Sequence, residues 1–230
     1  MFGNKTDPST TPSLSQTLAG KNVAILSCEG FEQSELFDPK AALEKAGATV
    51  KIISPKSGTI KAWNKTDWGK SIDVDLTLDA AQVENFDALM LPGGVMNPDK
   101  LRQDKQAVAF VKSFFTAGKP VGAICHGPQV LIETGELKGR TITSWPSLKT
   151  DITNAGAKWV DEEVIVENGL VTSRKPDDIP AFSKKLIQEI VEGQKVNRQT
   201  SGLRMSAMTQ NKSEQMNNNQ ISEQKKSGAV

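Results

Sequence analysis

The sequence predicts an α/β protein with a doubly wound, mostly parallel sheet sandwiched by helices. Three observations lead there. Apolar strand-like runs alternate with helix-like runs through most of the chain. Several of those runs are apolar throughout, as strands buried on both faces must be. The chemically loaded residues stand just after strands, where doubly wound sheets place their sites.

Taken in order, residues 1–20 are rich in Ser, Thr and Pro and read as a disordered leader. Residues 22–28, NVAILSC, form the first buried strand. Residues 34–46 carry apolar side chains at Leu36, Phe37, Ala41, Ala42, Leu43 and Ala46, which suits one helix face, and Gly47 ends it. A second strand spans 49–54. The segment 58–78 alternates weakly and reads as an antiparallel excursion. Residues 86–91, FDALML, are another buried strand, closed by Pro92-Gly93-Gly94. A helix over 106–117 turns Val108, Val111, Phe114 and Phe115 inward. Further strands are expected at 139–143 and 164–172, the latter folded at Asn168-Gly169. A last helix, 179–192, turns Phe182, Leu186, Ile187, Ile190 and Val191 inward. The domain so defined spans 21–193, and 194–230 reads as a low-complexity, disordered tail.

Composition narrows the function. Lys plus Arg number 28 and Asp plus Glu 27, so no global field points to nucleic acid or an anionic membrane. No apolar run approaches the ~18 residues of a membrane span, and the N-terminus lacks the apolar core of a signal peptide. A cytoplasmic protein is the expectation. One histidine and two separated cysteines do not supply a metal site, and no cofactor is expected.

The chain is organised around KPVGAICHGPQ, 119–129. A turn, a short apolar strand, Cys125-His126, a glycine and a helix follow one another. Ala123-Ile124-Cys125-His126-Gly127 is the small-x-nucleophile-x-small pattern of a nucleophile elbow. The thiol would sit at the sheet's carboxyl edge beside a helix N-terminus, whose partial positive charge favours thiolate. His126 is the chain's one histidine. In GFEQSEL, Glu32 and Glu35 are three apart, so one turn presents both on one face; glutamates at helix starts also serve as caps. Cys28, ending strand one, reads as a packed core thiol, with a resolving cysteine for an oxidised Cys125 as the alternative.

Five segments stand in order: GFEQSEL (30–36), FDALMLPGG (86–94), AICHGPQ (123–129), TSWPSLKTDITNAGA (143–157) and TSRKPDDIPAF (172–182). On these, Lys21 to about Glu192 resembles the ThiJ/PfpI superfamily, in its PfpI-type branch of intracellular proteases and protein deglycases or glyoxalases. The resemblance implies a flavodoxin-like fold, akin to class I glutamine amidotransferases. It places the nucleophile on Cys125, the following histidine on His126, and the carboxylate beside the thiol on Glu35 or Glu32, with Glu35 favoured. Gly93 and Gly94 match backbone amides that can form an oxyanion hole. An acidic residue from a neighbouring subunit completes the site in that branch; Asp99 is the matching position, in a segment one residue longer than the archaeal pattern. A surface charge or an N-cap is the plain alternative for Asp99.

The resemblance therefore implies a cysteine-dependent hydrolase, oligomeric as a homodimer or larger. The expected substrate is glyoxal, methylglyoxal or their early adducts on proteins and peptides. A peptidase using the same thiolate is the alternative, and a redox-sensing or chaperone stress protein is a second. A glutaminase subunit would need another histidine, and the chain has none.

Overall fold

The computed structural model describes residues 17–193. The leader up to residue 16 and the tail from 194 lie outside the described residues. Eleven strands are described: β1 (Asn22–Leu26), β2 (Thr49–Ser54), β3 (Thr59–Asn64), β4 (Asp67–Asp73), β5 (Leu76–Thr77), β6 (Ala88–Leu91), β7 (Val121–Ile124), β8 (Thr141–Ile142), β9 (Lys158–Trp159), β10 (Val164–Glu167) and β11 (Leu170–Ser173). The helices are α1 (Gln33–Lys45), α2 (Met96–Gln103), α3 (Lys105–Thr116), α4 (Pro128–Thr134), α5 (Lys149–Asn154) and α6, over 179–193.

The main sheet has the order β10-β11-β7-β6-β1-β2-β5. Every neighbour pair is parallel except the edge pair β10–β11, a hairpin. The chain leaves β1 for β2 on one side and returns to β6 on the other. That reversal beside β1 is the switch point where a doubly wound sheet opens a crevice. Two cores cover the two faces, as the apolar runs require. In β1, Ala24 and Leu26 point into one, with Leu89, Val111, Phe114 and Leu131. Val23 and Ile25 point into the other, with Leu36, Leu43, Met90, Phe182 and Leu186. Gly122 lets α6 close on β7: a Cβ there would stand 2.9 Å from Leu186 Cδ2.

Some expectations need correction. The inner face of α3 is Ala107, Phe110, Val111 and Phe114; Val108 and Phe115 are only half-buried, and Ala41 of α1 is exposed. β8 does not join the main sheet but pairs with β9 in a separate parallel ladder. The antiparallel excursion is present as expected, as the β3–β4 hairpin, after which β5 returns to the main sheet. α2 and α5 fall in stretches where polar residues mask the helical period. The domain also begins before residue 21: Leu18 is fully buried, and its N–H donates to the Ala46 carbonyl at 2.8 Å.

Leu18→Ala should lower the unfolding free energy in urea by about 2–3 kcal/mol, the usual loss for a buried leucine. An unchanged midpoint would place the domain boundary after it.

Candidate active site

The elbow is built by strain that the sheet holds in place. Cys125 follows β7 with φ +60°, a left-handed conformation that costs a non-glycine residue free energy. Backbone bonds on both sides fix it: its N–H donates to the Ser173 carbonyl at 3.0 Å, and its carbonyl accepts from Trp145 N–H at 2.9 Å. A Cβ on Gly127 would stand 2.6 Å from the Leu91 carbonyl oxygen and 2.9 Å from that of Ile124. The steric demand for a small residue two places after the nucleophile is therefore real here.

Glu35 reaches the thiol from α1. It is fully buried, and its Oε2 accepts from Gly93 N–H at 3.0 Å. Gly93 is wedged between carboxyl and elbow. A Cβ there would lie 2.5 Å from Glu35 Oε2 and 2.7 Å from Cys125 Cβ. Burial, reinforced by the charge of Glu32, pushes the Glu35 carboxyl from its ordinary 4.5 up to about 8. At neutral pH Glu35 is thus a protonated acid. Glu32 has a different task. It is the N-cap of α1 and accepts from Glu35 N–H at 3.0 Å and from the Ser34 hydroxyl. Of the two glutamates, Glu35 is the thiol's neighbour.

Burial works against the expected thiolate. It pushes the Cys125 thiol well above its ordinary range, and an ionised Glu35 beside it would add to the push. The Gly94 and His126 amides pull the other way but do not prevail. α4 has only seven residues, too short a dipole to offset burial. Burial thus favours the thiol form, and a base beside it would assist its ionisation. His126 Nδ1 lies 3.2 Å from Sγ, and burial lowers the imidazole's pKa, leaving it neutral and able to accept. Its ring stacks on Trp145 at 5.9 Å between centroids.

The model of the DJ-1/PfpI family matches residues 21–189. The chain belongs to the DJ-1/PfpI family. It is 42% identical over 166 residues to Deglycase PfpI of Pyrococcus furiosus, covering 72% of this chain and 97% of that one. General stress protein 18 of Bacillus subtilis is 45% identical over 168 residues, covering 72% and 95%. Among solved structures, Drosophila melanogaster DJ-1beta superposes with a TM-score of 0.67 at 28% identity, covering 80% of this chain and 97% of that one. A two-domain protein with DJ-1/ThiJ/PfpI-like and ferritin-like domains from Anabaena variabilis gives 0.70 at 37% identity. That match covers 74% of this chain and 48% of the two-domain chain. The family's flavodoxin-like order is the one observed, counting β2-β1-β6-β7-β11 across the sheet.

The remaining expected residues fall unevenly. Gly93 N–H is engaged by Glu35; the Gly94 and His126 amides favour an anionic sulfur, and the Gly94 amide also favours an ionised Glu35. Asp99 is exposed in the first turn of α2, and its carboxylate accepts from Gln103 Nε2 at 3.3 Å. It is not the N-cap, which is Val95. Cys28 is buried, its thiol donating to the Asn97 carbonyl at 3.4 Å and pushed up to about 12 by burial. Two site residues escaped sequence reading. Trp145 lies in a quoted segment but carries no recognisable chemistry, and Asn97 stands in a run that looks like surface. Among the described residues, no group of three His, Cys, Asp or Glu is placed to hold a metal ion, and no helix is long and apolar enough to cross a membrane.

A raised carboxyl has a definite effect on stability. The folded state keeps a proton on Glu35 that the unfolded chain releases near 4.5. Its contribution is therefore complete below that pH and lost as pH rises towards about 8. Glu35→Gln should match the wild-type melting temperature near pH 4 and exceed it by a margin growing to pH 8. A constant difference across that range would show that Glu35 titrates normally.

Proposed function

We propose that this protein is a cysteine-dependent, stress-protective enzyme acting on glyoxal, methylglyoxal or their early adducts on proteins. The observation that carries this reading is a buried Glu35 carboxyl, pushed up to about 8, beside a Cys125 thiol with His126 Nδ1 3.2 Å from its sulfur. Addition of a thiol to an aldehyde needs a base for the sulfur's proton and an acid for the carbonyl oxygen. His126 Nδ1 and Glu35 fit those roles. The relatives named as a deglycase and a general stress protein support the same class.

With methylglyoxal, His126 takes the thiol proton as Sγ bonds to the aldehyde carbon, and Glu35 protonates the oxygen. The product is a hemithioacetal. Its C1 hydrogen leaves as a proton, and one is returned to C2 through an enediol, giving a lactoyl thioester. C1 is oxidised as C2 is reduced, so no external oxidant enters. Water then cleaves the thioester, releasing lactate and restoring the thiol. On an adducted protein, the released amine, guanidine or thiol is the repaired group. Peptide cleavage is less well served, because the Gly93 amide, a natural oxyanion donor, is occupied by Glu35.

The site is proposed to work in a homodimer or larger assembly. Among the described residues the hydrogen-bond partner of the His126 ring is the Cys125 thiol and not a carboxylate, and a histidine base is ordinarily oriented by one. Asp99 is exposed, and its carboxylate contact among the described residues is the surface bond from Gln103 Nε2, so it could turn to a second copy.

Incubation with methylglyoxal should yield many lactates per protein, with casein left intact. Cys125→Ser should abolish turnover, and Glu35→Gln should reduce it by about two orders of magnitude. Stoichiometric modification of Cys125 without turnover would favour a sensor, and casein cleavage a peptidase. The rate should fall at acid pH as His126 protonates, and again near pH 8 as Glu35 ionises. Mixed Cys125→Ser and Asp99→Ala subunits should regain partial activity, since a mixed dimer assembles one complete site. No recovery after proven subunit exchange would remove Asp99 from the site.

A further inference from the structure

We infer that Asn97 is the positioning residue that aims the Gly94 amide at the Cys125 sulfur. This rests on the proposed role of Cys125 as nucleophile.

Asn97 is fully buried in the first turn of α2, and every polar atom of its side chain is used. Oδ1 accepts from Cys28 N–H at 2.8 Å and from the Ser27 hydroxyl at 3.4 Å. Nδ2 donates to the Pro92 carbonyl at 2.9 Å and to the Gly93 carbonyl at 3.2 Å. One carboxamide thus ties the end of β1 to the turn after β6, across the switch point of the sheet.

The bond to Gly93 matters most. Its carbonyl also accepts from Glu32 N–H at 3.3 Å. In a trans peptide the carbonyl and the following N–H point in opposite directions. Two donors holding the Gly93 oxygen on the side of Asn97 and α1 therefore turn Gly94 N–H towards the other side. That side is the elbow, whose Cys125 Cβ would be 2.7 Å from a Cβ on Gly93. The Gly94 amide is one of the two that favour the anionic sulfur, and it is shared with the Glu35 carboxyl on the same side.

Fixing this peptide requires a device, because glycine flanks it on both sides. Gly94 adopts φ +80°, and a Cβ there would lie 2.6 Å from Glu32 N and from the Gly30 carbonyl oxygen. Only glycine fits, and glycine leaves the peptide plane free to turn. Asn97 supplies the stiffness that the turn cannot. Sulfur chemistry would then depend on a residue that never touches the sulfur.

The test is the rate of iodoacetamide alkylation at each cysteine, followed by mass spectrometry in Asn97→Ala. An amide hydrogen bond to a developing anion lost from the sulfur should slow Cys125 by about tenfold. A purely structural role predicts the opposite, because loosening the turn exposes both buried thiols and speeds both. Ser27→Ala removes one bond to Oδ1 but leaves both Nδ2 donors, and should keep the Cys125 rate within about twofold. An unchanged or faster Cys125 in a folded Asn97→Ala overturns the inference. Should that variant not fold, the Gly94 amide proton resonance decides. It should move upfield in Cys125→Ala as its sulfur acceptor is lost, and an unmoved resonance, which would mean that the amide serves Glu35 alone, also overturns it. Neither readout needs turnover, so absence of lactate in the wild type would remove the proposed reaction and leave this comparison standing.

Discussion

The contact between the Glu35 carboxyl and the Cys125 elbow, with Gly93 wedged between them, is the constraint on which the site depends. A carboxyl buried without a cation keeps its proton, because an unpaired charge in the interior costs several kcal/mol. Among the described residues, Glu35 Oε1 has no hydrogen-bond partner. The acid lies beside the Cys125 thiol, with its other oxygen held by Gly93 N–H. The same burial pushes the thiol up and the imidazole down, so it favours the uncharged form of all three groups.

The fold earns this arrangement by convergence. β1, β6 and β7 lie side by side, so the residues just after their carboxyl ends share one edge. α1 brings Glu35 back over that edge, with its first turn fixed by the Glu32 cap. The turn after β6 must then pass between α1 and the elbow, where no side chain fits, and two glycines result. Their freedom is removed by Asn97 from below and Glu32 from the side. Strain at Cys125 is held by the Ser173 and Trp145 backbone bonds.

How much of this was legible follows from which signals are local. The elbow could be read because its small-residue spacing is a steric requirement on five consecutive positions. The parallel sheet could be read because β1, β6 and β7 are apolar on both faces. Glu32 and Glu35 could be paired by helical spacing, but assigning their roles needed the cap geometry, which depends on where α1 begins. Burial was the missing quantity elsewhere. The helix N-terminus next to Cys125 suggests thiolate, yet the depth of the sulfur reverses the sign. Asn97 in VMNPD looks solvated because nothing local says that the end of β1 closes over it. β8 looks like a sheet strand, but its partner is β9, a pairing no local pattern specifies.

The claim that carries the account is that Glu35 is a protonated acid at neutral pH while folded. Its carboxyl can be followed directly by carbon NMR on protein labelled at glutamate, assigned by comparison with Glu35→Gln. The account predicts a midpoint near 8, far above the ordinary 4.5. A folded protein in which the Glu35 carboxyl titrates near 4.5 would contradict it.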